Sequence, residues 1–419
     1  MTSDEPEQQR LSLAESARTL LSAAAVRNSA HRMLTLALDR SLDEWTIDAD
    51  RLPATADFVA QVVRDRYPRL DPPLHARWRH FVFGGRDLWR EIAARPWPSP
   101  AARARAAFDL AITSVLLDAG AGPLWRYRDA TTGLIAARSE GLALASLRWF
   151  ESGGLSNDPN DPKRADAAAL RRINAAALNQ AFQVGDLNPL LGADGRASLL
   201  NRLGATVEAR PDLFAIADSP RPGGLFDALA QRAAGDPLPA AAILETLLDA
   251  LGSIWQNRPT LGDVSLGDCW PHPALKGAAF ADGYAPLHKL SQWLTYSLIE
   301  PLEESGIAVC GIDELTGLAE YRNGGLFVDM GVLLPRDAAD RSKTHAVSDP
   351  FVVGWRAMTV ALLDRIAPLV GLRLGLKADA FPLARVLEGG TWAAGRLIAR
   401  EKRADGGPPF QISSDGTVF

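Results

Sequence analysis

The ammonium of Lys289, the carboxylate of Glu320 and the carboxamides of Gln292 and Asn323 fall within one stretch of the chain, Asp282 to Asp329. Lys289, Trp293 and Tyr296 are spaced four and three apart and share one face of a helix, with His288 and Gln292 as a neighbouring polar pair at i, i+4. Leu287, Leu290, Leu294 and Leu298 recur beside them at helical spacing and turn a stripe toward a core. A leucine-striped helix needs no Lys, His, Gln, Trp and Tyr crowded around it, so the crowding points to a polar, aromatic-walled pocket. Downstream come Glu320, Tyr321, Arg322 and Asn323, then Gly324-Gly325, a pair that permits a tight turn at positive φ. Four hydrogen-bonding residues before such a turn can converge on a ligand. The plainer alternative makes Glu320 and Arg322 solvated loop charges and lets Lys289 snorkel from a helix surface.

Other stretches offer similar chemistry. In DAGAGPLWRY, a helix ending in Asp118 leads through small residues to Trp125, which can set a carboxylate beside an aromatic wall or simply bury a Trp at a helix end. Arg138, Ser139 and Glu140 open a helix, where Ser139 can cap and Glu140 suits the positive dipole end. Arg356, Val360 and Asp364 lie at fours on a later helix, reaching inward or pairing with neighbours. The six histidines show no H-x-H or H-E-x-x-H spacing, so a zinc-hydrolase site has no ligand set. Gly120-Ala121-Gly122 opens like a dinucleotide loop, but Trp125 stands at the third glycine and a helix precedes it. No Walker A, G-x-S-x-G or S-x-x-K motif occurs.

The elements that must position these groups are mostly helices. Pro286 suits the first helical position of the Lys289 segment, Gly306 the cap beyond its end, and Pro301 predicts a kink or stop near Glu300. Two short helices interrupted near Asn28-Ser29 are expected over 11–40, and further helices over 53–67, 88–94, 99–118, 139–150, 163–184, 196–209, 240–255, 350–370 and 381–402, with residues 1–10 disordered. Short strands are expected around 307–335 and in the tail PFQISSDGTVF. The Pro/Asn/Asp stretch 156–162 reads as a boundary between an N-terminal lobe (11–155) and a C-terminal lobe (156–419) of one continuous domain. The 419 residues carry 47% hydrophobic and 23% charged side chains, ordinary for a globular protein. A net charge of −5 argues against a nucleic-acid partner, though not against a small phosphorylated ligand. Two cysteines make no disulfide framework, and no apolar run spans a bilayer. MTSDEPEQQR has no apolar signal region, so the expected location is the cytoplasm, away from membrane.

Six pieces together resemble the uracil-catabolism family that accompanies the URC-type pathway of fungi and bacteria: Asp118–Tyr127, Arg138–Leu147, Gly267–Trp270, PLHKLSQWLTYSLIEP, EYRNGGLFVDMGVL and WRAMTVALLD. That pathway opens the uracil ring and passes through ribosylurea. The resemblance therefore implies a small-molecule substrate, ribosylurea or its 5′-phosphate. A more distant likeness is to the queuosine-nucleotide glycosylase family of queuosine salvage, which cleaves an N-glycosidic bond. Its pattern is similar to Leu117-Asp118 with Trp125, to Lys289, to Glu320-Tyr321-Arg322 and to Arg356 with Asp364, with Glu320 standing where that family has Asp.

These resemblances imply an N-ribosyl hydrolase that splits the C1′–N bond to urea and the ribose product, with no cofactor and no metal. Glu320 is then the candidate catalytic carboxylate, Lys289 its partner, and Asp268 and Asp118 reserve acids. Tyr321, Asn323 and Gln292 would bond ribose hydroxyls or the urea carbonyl, and Trp125 and Trp293 would wall the pocket. Arg322, Arg138 and His288 are phosphate candidates, and Arg356 a further substrate contact. The implied architecture is mainly α, a single large helical domain with a DNA-glycosylase-like core and a few short strands. The rival readings are a non-catalytic nucleotide-binding subunit and an amidohydrolase releasing ammonia.

Overall fold

A 25-residue helix, Pro350–Leu374, begins where the Asp349 carboxylate accepts the Phe351 N–H and Pro350 fills the first position, and ends at Gly375 with φ +72°. It is apolar on nearly every face, which only a central helix can be. In this computed structural model, residues 5–216, 219–377 and 380–413 are described, with side chains from residue 12 onward. The fold is mainly α. The strands among the described residues are two or three residues long and form seven separate pairs, with no larger sheet. No helix among the described residues is long and apolar enough to cross a membrane.

The chain divides into two units that alternate along the sequence. One holds the chain up to His75, Asn257–Gln292 and Gly311–Ser413; the other holds Ala76–Gln256 and Trp293–Cys310. The division therefore does not follow the expected lobes 11–155 and 156–419. The stretch 156–162 is an internally bonded turn rather than a linker: Ser156 Oγ donates to the Asp161 carbonyl at 2.8 Å and Asn157 N–H to Asp166 at 2.7 Å. In the first unit the Pro350–Leu374 helix packs against Ala23–Leu38, Leu52–Arg66 and Tyr321–Asp329. In the second, Pro100–Leu116, capped by Ser99, packs against Arg138–Glu151, Ala193–Ala209 and Gly224–Ala233.

Several local expectations are corrected. Helix already covers Glu5–Thr19, so residues 5–10 are not an irregular tail, while residues 1–4 lie outside the described part. The expected tail strand is Gln411–Ser413, parallel to Thr344–Ala346; residues 414–419 lie outside the described part. Pro286 ends the strand Tyr284–Pro286, paired with Cys269–Pro271, and the helix begins at Lys289. That helix runs unbroken through Pro301 to Glu304. A proline at 301 removes the N–H that would bond the Ser297 carbonyl. The Trp78 indole N–H donates to that carbonyl at 2.7 Å instead, so the proline leaves no orphan.

Gly324-Gly325 is likewise no turn. Both glycines lie inside the helix Tyr321–Asp329, at negative φ. They serve close packing: a Cβ on Gly324 would come within 2.7 Å of the Trp355 indole nitrogen and 2.8 Å of Thr359 Oγ1. Helix propensity favours alanine over glycine by about 1 kcal/mol, whereas overpacking against a fixed indole costs about 1–3 kcal/mol. Gly324→Ala is therefore expected to lose stability on balance, read as a lowered denaturant midpoint with an unchanged slope; a raised midpoint would show that the indole yields freely.

Candidate functional site

The polar residues singled out in the sequence separate between the two units. Asp268, His288, Lys289, Gln292, Glu320, Tyr321, Arg322, Asn323 and Arg356 belong to the first; Asp118, Trp125, Arg138 and Trp293 belong to the second.

In the first unit the arrangement hangs on Asp268. Its carboxylate meets both Nη atoms of Arg356 at 2.7 Å in a fork-to-fork pair. The same carboxylate accepts the Trp270 indole N–H at 2.8 Å and the Lys289 backbone N–H at 3.0 Å. Its backbone carbonyl accepts the N–H groups of Leu287 and His288. Asp268 thus holds the start of the Lys289 helix. Arg356 Nε continues the chain of bonds to the Ala319 carbonyl at 3.0 Å, immediately before Glu320. Burial pushes the Asp268 carboxyl up, but the Arg356 charge and these hydrogen bonds outweigh it and hold the group well below the usual carboxylate range. A carboxylate so saturated and so acidic is not a proton donor or acceptor near neutral pH. In this structure Asp268, expected as a reserve acid, and Arg356, expected as a substrate contact, bond each other and the two helix starts.

Glu320 is the N-cap of the helix Tyr321–Asp329. Its two oxygens accept the N–H groups of Arg322 at 2.6 Å and Asn323 at 2.7 Å, and it is 6% exposed. The alternative of a solvated loop charge is excluded for Glu320, and Lys289, 7% exposed, does not snorkel from a surface. The cap fixes the carboxylate at the positive end of the helix and leaves each oxygen further lone pairs. Arg322 is buried, stacks over the Tyr321 ring at 4.6 Å and donates to the Gly406 carbonyl at 2.9 Å. These contacts tie Arg322, expected as a phosphate ligand, to Gly406. His288, at φ +45°, donates through Nε2 to the Leu20 carbonyl at 2.9 Å. Burial pushes its imidazole down, outweighing that hydrogen bond, so it stays neutral and is no cation for a phosphate. Positive φ also turns its side chain off the helix surface, so the expected i, i+4 pairing with Gln292 does not form. Asp364 meets Arg27 and His31 at 3.0 and 2.9 Å, two turns beyond Arg356.

In the second unit Asp118 pairs with Arg77, whose guanidinium lies 3.2 Å from Asp118 Oδ1 and 5.4 Å from the Trp293 ring centroid. Arg77 is fully buried, bonds Ser114 Oγ through Nε at 2.8 Å, and has its backbone N–H on Ser297 Oγ. Burial lowers its pKa against the pull of Asp118. Arg196, also fully buried, donates to the carbonyls of Leu117, Ala119, Gly120 and Leu191 and so fixes the loop around Asp118. Burial lowers its pKa to about 10. Neither arginine was singled out in the sequence. Nothing in the sequence marks them: Arg77 lies in His75-Ala76-Arg77-Trp78-Arg79-His80 and Arg196 in Asp194-Gly195-Arg196-Ala197-Ser198, both among other polar residues. Trp125 is core: it is fully buried, its indole N–H donates to the Phe182 carbonyl, and it stacks on Phe182. Arg138 stands half-exposed at the first position of its helix with φ +55°, and Ser139 does not cap that helix; its carbonyl faces Arg77.

Among the described residues, no group of three or more His, Cys, Asp and Glu side chains is placed to hold a metal ion. Residues 19–419 match the family described as "Protein of unknown function (DUF1688)". The chain is similar to Protein urg3 of Schizosaccharomyces pombe, 37% identical over 420 residues, covering 97% of this chain and 99% of that one. It is also similar to Uracil catabolism protein 4 of Lachancea kluyveri, 36% identical over 411 residues, covering 90% of this chain and 92% of that one.

Removing one member of a fully buried, hydrogen-bonded ion pair costs about 3–5 kcal/mol, an upper bound here because the Asp268 side chain is 15% exposed. Asp268→Asn and Arg356→Met should each destabilise by that order in chemical denaturation, and the double variant by much less than their sum; additive losses would show that the pair is not coupled. His288 supplies a pH test. Its folded pKa lies below the unfolded value of about 6.5, so its contribution is present above that pH and is lost as the pH falls toward the folded pKa. Stability measured from pH 7 to 5 should fall less steeply in His288→Gln than in the wild type, and parallel curves would contradict a neutral buried His288.

Proposed function

We propose that this chain, which belongs to the DUF1688 family, acts in uracil catabolism as an N-ribosyl hydrolase that splits ribosylurea, free or as its 5′-phosphate, into urea and the ribose product. The name of one relative, Uracil catabolism protein 4, supports the pathway. The observation that carries the reaction is Glu320: a carboxylate gripped by two backbone N–H groups, its placement tied through Arg356 and Asp268 to the start of the Lys289 helix.

Cleavage of a C1′–N bond passes through an oxocarbenium-like state with positive charge at C1′ and the ring oxygen. A fixed carboxylate stabilises that charge without reorganising. Glu320 also accepts a proton from the attacking water, whose oxygen bonds C1′ as the C1′–N bond breaks. The departing urea nitrogen takes up one proton, for which the Lys289 ammonium is the donor. Water, one proton gained by Glu320 and one lost by Lys289 then balance, and exchange with solvent restores both groups.

Purified protein incubated with ribosylurea and with its 5′-phosphate should release urea and no ammonia, and the faster substrate decides the question of the phosphate. Glu320→Gln keeps an oxygen for the helix cap and should slow urea release by about a hundredfold or more, the usual size of a lost general base. Unchanged turnover would remove Glu320 from the mechanism, and ammonia in place of urea would replace the hydrolysed bond.

A further inference from the structure

Gln292 lies one helical turn after Lys289 and is fully buried. Neither its Oε1 nor its Nε2 has a hydrogen-bond partner among the described residues. Burying a carboxamide with both ends unpaired is costly, and native proteins leave very few such groups. Its backbone does not force this: the Gln292 N–H bonds the His288 carbonyl at 2.9 Å as an ordinary first helical turn. A leucine or methionine there would carry no such cost. The amide is therefore retained for something other than stability. A second carboxamide shows the same imbalance. Asn323, three residues after Glu320 and fully buried, leaves Oδ1 without a partner among the described residues, while its Nδ2 makes only a 3.5 Å contact to the Leu318 carbonyl. The two candidate catalytic side chains are thus each followed, one turn on, by a buried carboxamide with unmet capacity.

We propose that Gln292 is the residue that reads the leaving group, by pairing with a cis O=C–N–H edge of a ureido group. A carboxamide offers one donor and one acceptor side by side. The group that satisfies both at once presents a carbonyl and an N–H in the same spacing, which a ureido group does and a ribose hydroxyl or a phosphate does not. Nε2–H donates to the ureido carbonyl and Oε1 accepts from the ureido N–H. Asn323 Oδ1, an acceptor alone, takes a second donor from the ligand. Hydrogen bonding to the departing carbonyl also draws charge from the breaking C1′–N bond. This deepens the hydrolase reading by naming its leaving-group contact, but it is tested by binding and does not need turnover.

The experiment titrates wild type, Gln292→Leu and Gln292→Met with ribosylurea, uridine and ribose 5-phosphate by calorimetry, and records the melting temperature of each ligand-free protein. The expected result is that both variants melt at or above the wild-type temperature, because an unpaired buried amide has been removed. Their affinity for ribosylurea falls at least tenfold while that for ribose 5-phosphate is unchanged. Uridine carries the same edge within a ring, and a selective loss on uridine rather than ribosylurea supports the amide pairing while moving the ligand earlier in ring opening. A lowered melting temperature with unchanged ribosylurea affinity overturns the proposal and makes Gln292 structural. No binding of either ureido ligand by the wild type overturns it as well. Ribosylurea bound with the expected Gln292 dependence but never cleaved leaves Gln292 its role and overturns the hydrolase reading alone.

Discussion

The pairing of Asp268 with Arg356 is the constraint on which the first unit's polar architecture depends. One carboxylate receives a guanidinium, an indole N–H and the first backbone N–H of a helix, and one guanidinium passes the connection on to the residue before Glu320. Each of these groups would be expensive to leave alone away from water, and together they satisfy one another. The geometry is stiff because the guanidinium is planar and the contact is bidentate. Two helix starts, at Lys289 and at Tyr321, are thereby referred to one ion pair. Positional accuracy of this kind is what a reaction with a charge-developing centre requires of its surroundings.

Much of this was legible in the sequence as residue types and little of it as geometry. The helical periods around Leu290, Leu294 and Leu298 read correctly, and so did the Ser99 cap and a helix starting at Pro350, though not its length or its central place. Glu320 was harder, because glutamate is not among the preferred capping residues and two glycines beginning four residues on imitate a turn. Gly324 turned out to answer a packing demand from Trp355 and Thr359, about thirty residues away along the chain, and Gly325 one from Pro409. Pro301 misled for the same reason: the indole that accepts its consequences lies more than two hundred residues earlier. Arg322 and His288 carry the right chemistry for a phosphate, yet a single long-range carbonyl in each case, at Gly406 and at Leu20, redirects them. Types and local spacing are written in the chain, whereas partners brought together by the fold are not.

The helix Lys289–Glu304 shows how polarity is distributed when stability is not the sole requirement. Gln292, Thr295 and Ser297 are all fully buried within two turns. Ser297 has clear structural work, donating to the Trp293 carbonyl and accepting the Arg77 N–H. Gln292 has none among the described residues. The contrast between two neighbours on one helix separates a polar group that completes the fold from one that the fold holds ready, a distinction that burial alone does not make.

The alternation of the two units along the chain sets a schedule for biosynthesis. Ala23–Leu38 and Leu52–Arg66 pack on Pro350–Leu374, a helix that leaves the ribosome nearly three hundred residues later. At typical elongation rates that interval is on the order of 15 to 60 s. During it the apolar faces of both early helices have no native surface to meet, while most of the second unit, contiguous from Ala76 to Gln256, already has its own central helix. The amino-terminal segment is thus made first and completed last, and its exposure to holdases and to premature association is fixed by connectivity rather than by any side chain.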